Sequence, residues 1–147
     1  MRIVERTSGE SQCHNKDYRL TYFLTDFEGT VYINETSQQR WALPHGTFAF
    51  YPPSTPLRCN LSSGRYIQIQ QSCETYAGLA ALPGGVPLTP RYGLDDPLVS
   101  QIVLTIANDM ERRDRDYILA DALNMALAAQ VGMSRRLLKL SWRRCPP

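Results

Sequence analysis

The chain has 147 residues, 43% hydrophobic and 20% charged, which suits one globular domain with appendages and needs no disulfide staples. Its opening, MRIVERTSGESQCHNKDYRL, has no apolar run, and no later stretch approaches the roughly 18 apolar residues that span a bilayer. Neither a secretory signal nor a membrane anchor is expected, and the cytoplasm is the expected compartment.

The net charge of +2 divides unevenly. Arg135, Arg136, Lys139, Arg143 and Arg144 give residues 133–147 a charge of +5 with no acid. Residues 1–132 hold 11 basic and 14 acidic side chains, a net of −3. The main body is therefore not an evident phosphate-binding surface, and the basic end reads as a solvated tail. Cysteines stand at 13, 59, 73 and 145 without any C-x-x-C, so four reduced thiols are expected rather than a zinc site.

In chain order, residues 1–17 carry no clear pattern and are expected to be flexible. YRLTYFLT (18–25) reads as a strand with Tyr18, Leu20, Tyr22 and Leu24 on one face. DFEG (26–29) reads as a turn, with Gly29 free to take positive φ. TVYINET (30–36) alternates again, with Val31 and Ile33 on one side and Tyr32 and Asn34 on the other. QRWAL (39–43) and TFAFY (47–51) follow, separated by Pro44 and Gly46. PLRCNL (56–61) and RYIQIQQS (65–72) are joined by the turn SSG, with Ile67 and Ile69 on one face and Tyr66, Gln68 and Gln70 on the other. About six short strands broken by Gly or Pro point to a sandwich or barrel over 18–73.

Residues 74–94 hold ALPGGVPLTPRYGL, too rich in proline and glycine for a regular element, and read as a connector. The period then becomes helical. Asp96 suits an N-cap and Pro97 the first helical position. Leu98, Ile102, Ile106 and Met110 recur at i+4, with Val99 and Val103 widening the stripe. Arg112 and Arg113 suit the helix C-terminus. A second helix starts near Asp116, with Leu119, Leu123 and Leu127 as its stripe and Gly132 as a C′ residue. Residues 95–131 thus read as an antiparallel helical hairpin, followed by a basic tail over 132–147. Intramolecular packing covers one face of this hairpin, and Leu98, Ile102, Ile106, Leu119, Leu123 and Leu127 are the candidates for dimerisation.

The spacing GTFAFYPPSTPLRCNL (46–61) resembles the second signature of a cupin barrel, G-x5-P-x-G-x2-H-x3-N. Gly46 and Pro52 match. Ser54 replaces the next glycine, Leu57 stands at the histidine ligand and Leu61 at the asparagine. Gln39 falls at the glutamate position, and YINE replaces the upstream histidine pair. A divalent metal needs several N, O or S donors in one shell. No metal and no cofactor is expected, and His45 reads as a solvated turn residue.

Other enzyme patterns are absent: no G-x-S-x-G, no G-x-G-x-x-G, no P-loop and no H-E-x-x-H. Cys13 beside His14 would point to opposite faces of a strand, and Asp95–Asp96 is explained by helix capping. No enzyme activity is expected. Tyr22, Arg40, Trp41, Phe48, Phe50, Tyr66 and Gln68 are the candidate barrel lining, and Ile67 and Gln70 are further residues of that kind. Such a lining serves either a small-molecule pocket or a plain core.

The order of parts resembles the N-terminal regulatory region of AraC-type transcriptional regulators. GTFAFYPPSTPLR (46–58), DDPLVSQIVLTIANDME (95–111) and DRDYILADALNMALAAQ (114–130) carry the resemblance. It implies an α+β fold, a cupin-like jelly-roll barrel followed by a helical hairpin, with a small-molecule effector in the barrel. It implies a homodimer, or a heterodimer with a full-length relative. A double helix-turn-helix domain needs on the order of 100 further residues, so a truncated regulator is expected, and DNA binding by this chain alone is not. ALAAQVGMSRRLLKLSWRR (126–144) also reads as one helix-turn-helix, but the continuation of the linker helix is the preferred reading. A small stand-alone metal-free cupin, a sugar-binding protein or an isomerase-like enzyme, is the alternative.

Overall fold

The computed structural model describes residues 1–32, 38–78, 90–112 and 117–133. The end of the strand expected at 30–36, most of the connector, Arg113 and Asp116, and the basic tail and helix-turn-helix positions from 134 on lie outside these residues.

Nine strands and three helices are described. The strands are β1 (Arg2–Arg6), β2 (Gly9–His14), β3 (Tyr18–Phe23), β4 (Phe27–Tyr32), β5 (Gln38–Leu43), β6 (Phe48–Tyr51), β7 (Pro56–Leu61), β8 (Gly64–Gln71) and β9 (Arg91–Leu94). The helices are α1 (Cys73–Ala77), α2 (Pro97–Glu111) and α3 (Tyr117–Met133). All pairings are antiparallel. One sheet runs β1-β8-β3-β6-β9 and the other β2-β7-β4-β5. The fold is a two-sheet antiparallel sandwich with helices, of the α+β class. Successive strands cross from one sheet to the other at every step except β4 to β5 and β8 to β9.

Residues 1–17 are corrected from flexible to structural, because they form β1 and β2. These strands lie at one edge of each sheet, β1 on β8 and β2 on β7. Asn15 then ties the segment down: its buried Nδ2 donates to the carbonyls of Asp17 and Pro52, at 3.0 and 2.8 Å. The connector is corrected likewise at both ends, where α1 and β9 are regular.

The two sheets differ in how they are covered. The β2-β7-β4-β5 sheet presents one face to water, where Arg58 donates to Glu10 at 2.7 Å and lies 4.5 Å over the Tyr32 ring. That guanidinium, by hydrogen bond and then by charge, holds the Glu10 carboxyl below its ordinary range. In the β1-β8-β3-β6-β9 sheet the central strands β3 and β6 are covered on both faces. The outer side of this sheet carries Tyr18, Leu20, Tyr22, Phe48, Phe50, Ile67 and Ile69 against the helices, with Tyr76, Val99, Val103, Ile106, Leu127 and Val131 completing that core. All four residues of β6 are buried for this reason.

Local signals explain the termini. Asp96 accepts from the N–H groups of Leu98 and Val99 and begins α2, with Pro97 at the first position. Gln130, near the end of α3, donates to the other oxygen of Asp96 at 2.8 Å. Gly132 lies inside α3 rather than after it. Gly46 takes φ +81° in the β5–β6 turn. Ser54, standing at the missing glycine of the cupin pattern, takes φ +62° and is the non-glycine residue in the left-handed region among those described.

Gly29 is corrected from a turn residue to a close-approach residue. It sits inside β4, paired with Trp41 and Leu61, and is not among the positive-φ glycines. A Cβ there would lie 2.1 Å from the carbonyl oxygen of Asn60. The turn itself is held by Asp26, whose carboxylate accepts from the His45 N–H at 2.7 Å and pairs with its Nδ1 at 2.8 Å. The His45 backbone and then its ring hold the Asp26 carboxyl below its usual value. His45 and Asp26 are both exposed, as a solvated turn requires.

A buried polar chain fixes α3 to the sheet. Tyr76 Oη donates to Gln71 Oε1 at 2.6 Å, and Gln71 Nε2 donates to Asn124, at 2.8 Å to Oδ1 and 3.1 Å to its carbonyl. Burial, with the Tyr18 hydroxyl nearby, pushes the Tyr76 hydroxyl far above the ordinary tyrosine range. The folded state therefore favours neutral Tyr76. Its stabilisation is complete below pH about 10 and is lost as pH rises further, by about 1.4 kcal/mol per pH unit. Denaturant melts between pH 9 and 12 are expected to show this slope, and Tyr76→Phe to remove it. At neutral pH the variant is expected to lose about 1–2 kcal/mol, because Gln71 Oε1 keeps no donor.

Candidate functional site

Between the sheets lies a second core, built from Phe23, Phe27, Val31, Trp41, Leu43, Ala49, Tyr51 and Cys59. It does not fill the sandwich. A cavity of about 80 Å³ remains, the liquid volume of roughly two or three waters.

The strands place its walls by alternation. From β3 come Arg19, Thr21 and Phe23, from β5 Trp41 and Leu43, and from β7 Leu57, Cys59 and Leu61. Tyr66 and Gln68 enter from β8, and Arg6 and Ser11 from the edge strands β1 and β2. Tyr92 of β9 stands behind the wall, 4.0 Å from the Trp41 ring centroid and 5.4 Å from that of Tyr51.

One group of polar side chains lies at the β1–β2 edge. Arg6 Nη2 donates to the Gly9 carbonyl at 2.6 Å and Nη1 to Ser11 Oγ at 3.0 Å, with Cys59 Sγ 3.9 Å from Nη1. Ser11 Oγ and Cys59 Sγ are 3.4 Å apart. Arg2 Nε donates to Gln68 Oε1 at 2.6 Å, which leaves the Gln68 NH2 as that side chain's donor end. The described lining contains two arginines and no Asp or Glu.

A scan against protein-family models finds no match, and a search of curated proteins finds none. Among solved structures, a DUF861 family protein from Thermotoga maritima is similar at 15% sequence identity, over 48% of this chain and 77% of that one, with a TM-score of 0.39. The architecture described above rests on the strand order of this chain.

The structure divides the seven lining residues expected from the sequence. Trp41, Tyr66 and Gln68 meet at the cavity. Tyr22, Phe48 and Phe50 lie on the opposite face of their sheet, under the helices, and are corrected to core residues. Arg40 is exposed on β5, beside the inward Trp41 and Leu43, and faces away from the cavity. Ile67 also belongs to the outer core. Leu57 and Leu61, the apolar replacements at cupin metal positions, do line the cavity. Among the described residues, no three His, Cys, Asp or Glu side chains cluster in a way that could hold a metal ion.

Sequence reasoning missed Arg6, Ser11, Arg19, Thr21 and Cys59. The signal for Arg19 and Thr21 was present: both alternate with the apolar face of YRLTYF, and Phe23 shares their parity. Two opposed apolar residues, Tyr22 and Phe23, mark a strand buried on both sides.

The dimerisation candidates also divide. Ile102, Ile106 and Leu127 are buried against the sheet, and Leu123 packs partly against the same core. Leu98 and Leu119 are exposed, as are Leu104, Ile118 and Met125. Among the described residues no helix is long and apolar enough to cross a membrane.

Proposed function

We propose that this chain is the effector-sensing and dimerisation region of an AraC-type regulator, built on a cupin-like jelly roll. The strand order 1-8-3-6 over 2-7-4-5 supports the jelly-roll reading, since eight strands in two facing Greek keys produce that order. The hydrogen bond from Gln130 to Asp96 supports an antiparallel helix pair, because it brings the end of α3 to the start of α2. The observation that carries the function is the cavity itself. A largely apolar chamber with a few placed polar groups suits a small ligand held by shape and a few hydrogen bonds.

A thermal-shift screen of small metabolites tests this. A ligand at 100 times its dissociation constant adds about 2.7 kcal/mol, so an effector is expected to raise the midpoint by several degrees. Its recovery unchanged after incubation separates a sensor from the isomerase-like alternative. Conversion of the bound compound would favour the enzyme.

The partner in this reading is a second copy, or a full-length relative, docked on α3. That helix has one charged residue, Asp121, among seventeen. Its inner side is spent on the sheet, yet Ile118 is 83% exposed and Leu119 and Met125 are 42% exposed. A helix apolar on both sides is one that is covered on both sides. The chain is expected to sediment as a dimer. Ile118→Glu with Met125→Glu is expected to give a monomer whose stability changes by only about 0.5 kcal/mol per site.

A further inference from the structure

The cavity's charge is as informative as its shape. Arginine lines it twice, and no carboxylate accompanies them in the described lining. Arg6 is held in place by Gly9 and Ser11. Its Nε is buried and has no protein acceptor among the described residues. A buried N–H of this kind calls for an acceptor, because leaving it unmade forfeits the full desolvation penalty. Gln68 adds a donor, since Arg2 already takes its oxygen. Phe23, Phe27, Val31, Leu43, Leu57 and Leu61 supply hydrocarbon wall.

We propose that the cavity binds a small organic carboxylate, its charged end received by Arg6 and its hydrocarbon by the aromatic and aliphatic wall. This rests on the effector-sensing reading and narrows it to a ligand class. Guanidinium presents paired N–H donors that match a carboxylate, and the charge-assisted bonds are stronger than neutral ones. Inorganic phosphate or sulfate would satisfy the donors but leave the hydrocarbon wall unused. An amine would meet like charge. The volume, about 80 Å³, limits the ligand to a few non-hydrogen atoms.

The test uses the full chain carrying Trp142→Phe, so that Trp41, in the cavity wall, is the sole indole. Butyrate, butyramide and butylamine are titrated at low salt, read by Trp41 emission and by the melting midpoint. Butyrate is expected to bind at least about tenfold more tightly than butyramide, since bonds to a charged group exceed neutral ones by about one such factor, and butylamine to bind weakest. Arg6→Gln is expected to bring butyrate to within about threefold of butyramide while butyramide itself is unchanged. The comparison on the unsubstituted arginine stands even where that variant fails to fold. Equal affinity for butyrate and butyramide would overturn the carboxylate assignment and leave the sensing reading intact. Silence of Trp41 and of the midpoint toward all three would overturn both.

Discussion

Replacing Phe50 with alanine is expected to cost about 4 kcal/mol and to lower the melting midpoint by on the order of 10 °C. Phe50 is fully buried, and its ring centroid lies 5.7 Å from those of both Tyr18 and Tyr76. It belongs to the layer between the β1-β8-β3-β6-β9 sheet and the helices. The cavity left by its removal therefore opens under α1 and the helix pair, not between the sheets. Below the midpoint, the affinity for a cavity ligand is expected to stay within about threefold of the parent, since distant sites couple weakly. Tyr66→Ala is expected to do the reverse in part, because Tyr66 borders the cavity and is only partly buried. Chemical denaturation paired with ligand titration checks both. A loss of ligand affinity in Phe50→Ala with the fold intact would show that the two faces of the sheet have been assigned the wrong way round.

Gly29→Ala is expected to cost about 3 kcal/mol, at the upper end for an overpacked site. The obstacle is backbone: the added methyl would meet the Asn60 carbonyl oxygen at 2.1 Å and the Leu61 Cα at 2.8 Å. No rotamer change relieves it, so β4 and β7 must separate, and their shared ladder includes Gly29–Leu61 and Thr30–Asn60. Leu61 lines the cavity, so ligand binding is expected to weaken as well. Urea unfolding gives the first quantity and calorimetric titration the second.

The strands from Tyr18 to Gln71 were legible because alternation and proline or glycine breaks both marked them. Asp96–Pro97 likewise announced α2, through capping chemistry that acts within a few residues. What was illegible depended on partners far away in sequence. GESQCH has no apolar alternation, and it is a strand because PLRCNL, some 45 residues on, supplies its ladder. In TFAFY both parities are bulky or apolar. The sequence therefore shows two-sided burial without saying which side meets the helices. That ambiguity sent Phe48 and Phe50 to the wrong face and hid Arg19 and Thr21, which share the inward parity of Phe23. Gly29 stands beside a turn in sequence, but its requirement comes from the neighbouring strand β7. Ser54 was legible as a substitution within a pattern, and the left-handed backbone at that place persists without the glycine.

The claim on which the rest depends is that ligands enter the space between the sheets and leave the layer under the helices alone. Methyl-resolved NMR of the full chain, titrated with butyrate or with any compound that raises the melting midpoint, tests this most directly. Val31, Leu43, Leu57 and Leu61 face the cavity, whereas Ile69, Leu94, Val103 and Ile106 lie in the outer core. Saturable shifts in the first group with the second unmoved are the predicted result. Shifts led by the second group, with the first silent, would contradict it.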